Sequence, residues 1–224
     1  MPGQLVFPFG VEPALGRADF ILAPCNEQAL HFIKRWPDWP ARAAALYGPA
    51  GCGKSHLAAI WQSTAGARLI SACDLSRFAP ESEVSFVIED VDRSEPGEAR
   101  DRALLAFFER PKGALLLTGR AVPSAWQVAI GDLKSRFQSL LAFPIWAPDD
   151  TLLSALVDKH FADRQLRVPE SVIKRIVTHV ERTPGAIAGF VARADERALA
   201  EKRAITERLI LELLDAEMPP RPRD

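Results

Sequence analysis

Residues 48–55 read Gly48-Pro49-Ala50-Gly51-Cys52-Gly53-Lys54-Ser55, a complete G-x-x-x-x-G-K-S phosphate-binding loop. No other stretch constrains the chain as much. Gly48, Gly51 and Gly53 can take backbone angles closed to other residues, so main-chain N–H groups can turn inward around an anion. Lys54 can reach the β- and γ-phosphates of a nucleotide, and the Ser55 hydroxyl can ligate Mg²⁺. Ala43 to Tyr47 before the loop reads as a short buried strand, and Ser55 to Ser63 after it as a helix. The helix would add the positive end of its dipole to the site.

The strand is the first of several. Ala67 to Ser71, Ser85 to Asp90 and Ala114 to Thr118 are apolar runs of strand length, and Ala142 to Ile145 is a shorter one that Pro144 confines to a sheet edge. Helical periods fall between them: Asn26 to Trp36, Ala99 to Arg110 before Pro111, and Leu133 to Leu140. Apolar strands alternating with helices predict an α/β fold whose five-stranded parallel sheet is covered on both faces. After Pro148 the pattern changes. Asp149 to Arg164, Pro169 to Arg182, Pro184 to Lys202 and Glu207 to Leu214 are helical with no strand between them. The expected organisation is an extended tail over 1–18, dense in Pro and Gly, an α/β nucleotide-binding unit over 19–147 and an all-helical lid over 148–224.

Composition narrows the function. Of 224 residues 25% are charged, yet the formal net charge is −1. A sequence-independent grip on nucleic acid needs a clustered basic surface, so contact with DNA is expected to be weak or indirect. The three cysteines, Cys25, Cys52 and Cys73, have no zinc spacing and read as reduced thiols of a cytoplasmic protein. No apolar run approaches a membrane span, so no membrane partner is expected. The four histidines share no metal spacing, and the five tryptophans read as packing residues.

The third strand ends in Glu89-Asp90. Parallel strands deliver side chains to the crevice at their carboxyl ends, beside the phosphate loop. Glu89 there can hold Mg²⁺ through water, and Asp90 can orient the attacking water.

Taken together these blocks resemble the AAA+ ATPases, within them the clade of the bacterial initiator DnaA, from about Phe20 to Leu214. The loop with its His56-Leu57 extension, Asn26 ahead of the first strand, and Asp132-Leu133-Lys134-Ser135-Arg136-Phe137 carry the likeness. The resemblance implies that ATP or ADP with Mg²⁺ is bound by Gly48, Gly51, Cys52, Gly53, Lys54, Ser55, His56 and Asn26, with Thr118 and Arg182 as polar sensors. It also implies that Arg136 is an arginine finger for a neighbouring subunit's nucleotide. Nothing after the lid is expected to supply a DNA-reading helix-turn-helix. Gln4-Leu5-Val6-Phe7-Pro8-Phe9 resembles the peptide by which proteins dock on the DNA polymerase III sliding clamp, with Gln4, Leu5, Phe7 and Phe9 as contacts. The implied activity is regulation of replication initiation by stimulating hydrolysis of ATP bound to DnaA. Self-association stays open. A helicase-loader or transposition-helper ATPase is the alternative, disfavoured by the near-neutral charge.

Three positions depart from the clade's pattern. Glu89 stands where an Asp usually holds the metal, Arg120 where an acidic sensor stands, and Gly185 where the lid sensor arginine is expected, with Arg182 close by. Slow intrinsic hydrolysis is therefore expected, because catalysis tolerates little misplacement.

Overall fold

The computed structural model describes residues 20–78, 80, 81 and 83–217. The proposed clamp contacts Gln4, Leu5, Phe7 and Phe9 lie outside them. Five strands, β1 (Ala43–Tyr47), β2 (Arg68–Ser71), β3 (Phe86–Glu89), β4 (Leu115–Gly119) and β5 (Leu141–Pro144), form one parallel sheet in the order β2-β3-β4-β1-β5. The expected five-stranded parallel sheet is present. Helices α1 (Glu27–Lys34), α2 (Lys54–Ala65), α3 (Glu98–Phe108) and α4 (Gly131–Gln138) cover it, and α5 (Asp150–Ala162), α6 (Glu170–His179), α7 (Pro184–Ala200) and α8 (Glu207–Glu217) follow.

Side chains alternate across the sheet, as a strand's two-residue period requires. Ala44, Leu46, Val87 and Leu116 face a core closed by α1 and α2, where Trp39 and Trp61 stack and Trp36 stands edge-on to both. Ala45, Phe86, Ile88, Leu115 and Leu117 face a second core closed by α3, α4 and Trp126. Burial on both sides explains why β4 is an unbroken Leu-Leu-Leu run. The ends of the sheet are weaker: β2 has one buried residue in four, and β5 carries Pro144, whose missing N–H is tolerated at an edge. Trp146, just beyond β5, is the exception among the tryptophans, 59% exposed.

A third core, built by α5 to α8, is separate from these two. Three of its four helices, α5, α7 and α8, begin at a capping side chain. Asp149 accepts from the Leu152 amide at 2.8 Å, Thr183 from Ala186 at 3.1 Å, and Thr206 from Leu209 at 3.3 Å. Ile21, Ala23 and Cys25 pack against this helical core while Phe20 packs against the first. The segment before α1 therefore spans both. No helix among the described residues is long and apolar enough to cross a membrane.

At the carboxyl end of β4, Gly119 leaves no room for a side chain. A Cβ there would meet the Trp126 ring at 2.6 Å, and Trp126 is held by its own indole N–H to the Ala121 carbonyl at 2.8 Å. Gly119→Ala is expected to cost about 1–3 kcal/mol through overpacking. The midpoint of urea unfolding, at unchanged slope, is the readout.

Candidate functional site: a phosphate loop under a helical lid

β1 ends at Tyr47 and the chain turns into the loop at Gly48, whose φ of 151° and whose contact with Ile145 O, 2.0 Å from a built Cβ, admit only glycine. The loop's other end is the first turn of α2, which begins at Lys54. Lys54 is 7% exposed, and its ammonium donates to the carbonyls of Gly48 and Pro49, both at 2.8 Å, with the Cys52 sulfur at 3.8 Å. The positive charge is thus held inside the curve of the loop. Burial pushes the Cys52 thiol up, an effect only partly offset by Lys54. Burial, then the charge of Asp149, does the same to Cys25. Both are poor nucleophiles, whereas Cys73 is exposed.

A cavity of about 260 Å³ opens over the loop. Gly51, Cys52, Gly53, Lys54, Ser55 and His56 form its floor. Its roof comes from the segment before α1 and from the lid: Phe20 and Ile21, Leu152, Leu156 and His160 of α5, and Pro184, Gly185 and Ala188 of α7. Phe20 stands edge-on to His56, ring centroids 5.2 Å apart. The lid touches the loop directly, because a Cβ on Gly51 (φ 71°) would meet Thr183 at 2.6 Å. The floor offers backbone amides, a cation and a hydroxyl, while the roof is largely apolar. That combination suits a ligand with an anionic end and a flat organic end.

Asn26 also lines the cavity, but its amide is spent locally. Its Oδ1 accepts from Ala23 N and its Nδ2 donates to Ile21 O, each at 3.0 Å. It shapes the roof segment. The strand ends lie beside the loop. β4 sits between β1 and β3, which puts Glu89 and Asp90 about 10 Å across the sheet from the loop. Asp90 is left-handed (φ 56°), and its amide donates to the Thr118 hydroxyl at 3.1 Å. Gly48 N donates to Gly119 O at 3.2 Å. Asp92, which the sequence did not single out, accepts from Arg120 N at 2.7 Å and Ala121 N at 2.8 Å. Arg120 therefore meets an acid through its backbone.

Two further expected site residues lie apart from the cavity lining. Arg182 pairs with Asp150 at 2.5 Å on the surface. Gly185 does line the cavity, and a Cβ built on it meets nothing within 4 Å. Arg136 stands on α4, exposed, with no ion-pair partner among the described residues. Leu133 and Phe137 on the same helix are buried and fix its orientation. The roof residues Leu152, Leu156 and His160 were missed. Their i, i+4, i+8 spacing marks one helix face, which reads as ordinary core until the lid is seen against the loop.

The residues present fit a nucleotide. Positive-φ glycines let the loop turn tightly along the cavity floor, Lys54 is fixed at it, and an apolar roof stands above. Lys54 and the loop amides would hold the phosphates, and His56, Phe20 and the α5 and α7 side chains would pack the base and sugar. Among the described residues no three His, Cys, Asp or Glu side chains cluster as a metal site. Mg²⁺ would rest on the phosphates and Ser55, with Glu89 reaching it through water.

No protein-family model and no curated protein sequence matches the chain. Solved structures do. Domain III of the replication initiation protein DnaA from Thermotoga maritima superposes with a TM-score of 0.74 at 18% identity, covering 93% of this chain and 98% of that one. AMPPCP-bound DnaA from Aquifex aeolicus gives 0.67 at 18%, over 86% of this chain and 71% of that one. The RuvB Holliday junction branch migration motor from Thermotoga maritima gives 0.68 at 17%, over 90% and 71%. At these identities the likeness is one of fold: the chain has the AAA+ fold of these structures, with a phosphate-binding loop and a helical lid.

Proposed function

We propose that the chain is a regulator of replication initiation of the Hda kind. It binds ADP or ATP with Mg²⁺ beneath its lid, docks on the DNA polymerase III sliding clamp through residues 4–9, and stimulates hydrolysis of ATP bound to DnaA. One observation carries the reading: Arg136 is exposed and unpaired among the described residues, outside the lining of the chain's own cavity. An arginine so placed is free to enter a nucleotide site on another chain. The chain's own site, with Arg120 and Gly185 at two sensor positions and Arg182 turned to Asp150, suits retention of nucleotide better than turnover. The fold is compatible with docking on DnaA, whose domain III has the same build. The proposed setting is the cytoplasm.

Clamp docking is tested by a Gln4→Ala/Leu5→Ala variant. It is expected to lower clamp affinity by roughly 100-fold, since the anchoring amide and an apolar contact are both removed. Nucleotide affinity should be unchanged. Surface plasmon resonance on immobilised clamp reads this, and equal affinities would remove the clamp from the account.

A further inference from the structure

Asp101 lies in the run Glu98-Ala99-Arg100-Asp101-Arg102 and looks like one more surface charge, yet it is completely buried on α3. Both of its oxygens accept from named donors. Oδ1 accepts from Arg100 Nη1 at 2.8 Å, and Oδ2 from the amides of Ala129 at 2.6 Å and Ile130 at 3.0 Å. Those amides immediately precede α4. The residue at the cap position of α4 is Ile130, which has no side-chain acceptor, and the helix is eight residues long. Two turns of helix are marginal alone and take their stability from tertiary contacts. Asp101 supplies from outside what the helix's own sequence lacks.

Arg100 extends the connection. Its Nε donates to Ser94 Oγ at 3.1 Å, Nη2 to Val91 O at 3.0 Å, and Nη1 also to Gln127 O at 2.9 Å. Val91 directly follows Glu89-Asp90, and Gln127 lies just ahead of α4. One guanidinium fork therefore joins the turn after the strand-end acids to the segment that launches Arg136. A buried ion pair is weak evidence for stability, because desolvation offsets its attraction. Here four directed bonds meet at one junction, which fixes geometry. Arg136 lies six residues past Ile130, about 9 Å along the helix axis, so a small tilt at that end displaces its guanidinium.

We propose that Asp101, oriented by Arg100, is the positioning residue for Arg136 and ties its placement to the end of β3. This rests on the reading of Arg136 as an arginine supplied to DnaA. The test uses the full chain with Asp101→Asn, which keeps the shape but sets an NH₂ group against donors on one side, so that Arg100 and the Ala129 and Ile130 amides can no longer both be held. Two readouts are taken: amide hydrogen exchange over 127–138 without DnaA, and single-turnover hydrolysis of DnaA-bound ATP at varied concentrations of this chain.

Exchange over 129–138 is expected to rise about tenfold or more, with peptides of β1 and α5 unchanged. The maximal hydrolysis rate should fall about tenfold or more, with the half-saturating concentration within about twofold. On an Arg136→Ala background the substitution should add nothing, because residues acting through one another are not additive. Arg100→Lys, which keeps the buried charge but not the fork, should give the same pattern at about three- to fivefold. It decides the matter if Asp101→Asn fails to fold.

Unchanged exchange over 129–138 would overturn the proposal. So would a loss that appears as raised half-saturating concentration, or that persists on the Arg136→Ala background. If the wild-type chain does not accelerate hydrolysis by DnaA, the functional reading falls. Exchange over 129–138 then decides by itself whether Asp101 fixes the helix that carries Arg136.

Discussion

Arg136→Ala is expected to lower the stimulated rate of hydrolysis of DnaA-bound ATP by about 10³-fold, the lower end of what a supplied arginine contributes in phosphoryl transfer. That corresponds to about 4 kcal/mol of transition-state stabilisation. The chain itself should be undisturbed. Arg136 is exposed, no carboxylate pairs with it among the described residues, and α4 is seated by Leu133 and Phe137 on its other side. Affinity for ADP and the unfolding midpoint should therefore match the wild type. Arg136→Lys should recover little, because a single ammonium cannot replace a planar fork that reaches two oxygens at once. Single-turnover release of labelled phosphate, with saturating clamp on DNA, measures both variants.

Lys54→Ala should have the other large effect, on the chain's own nucleotide. Lys54 is the cation at the centre of the loop and holds it by donating to Gly48 O and Pro49 O. Removing it takes away a charge-assisted contact to phosphate and leaves two carbonyls without their donor. A loss of about 100-fold in ADP affinity, or about 3 kcal/mol, is the expected result by calorimetry. Linkage provides a second readout. ADP at 100 times its dissociation constant should stabilise the wild type by about 2.7 kcal/mol, and the same concentration should stabilise the variant by only about 0.4 kcal/mol. A variant that binds ADP as the wild type does would place the nucleotide elsewhere.

Much of the framework was legible because it follows from local chemistry. The glycine spacing of 48–55 forces a phosphate-binding turn. Apolar runs of strand length between helical periods force a parallel sheet, and Pro144 forces its strand to an edge. What escaped depends on contacts between distant segments. The apolar roof of the cavity brings Phe20 and Ile21 together with α5 and α7, and each of those faces reads as plain core in isolation. Asn26, expected to hold nucleotide, lines the cavity, but its amide bonds to Ala23 and Ile21, which no local sequence pattern announces. Arg182 reads as a sensor from its neighbours in sequence, but its guanidinium pairs with Asp150 at the start of α5, a partner that only the fold brings near. Asp101 is the sharpest case. In a charged run only the fold reveals that one acid faces inward, and its partners at 129 and 130 lie nearly thirty residues away.

The central claim is that this chain's arginine works on a nucleotide held by another chain. The direct measurement loads DnaA with γ-labelled ATP and this chain with unlabelled ADP, adds clamp on DNA, and follows labelled phosphate through a single turnover. The account predicts release about 10³-fold faster than from DnaA alone, lost with Arg136→Ala and preserved when the nucleotide on this chain is ADP throughout. Release at the unstimulated rate, or acceleration only when the labelled ATP is carried by this chain, would contradict it.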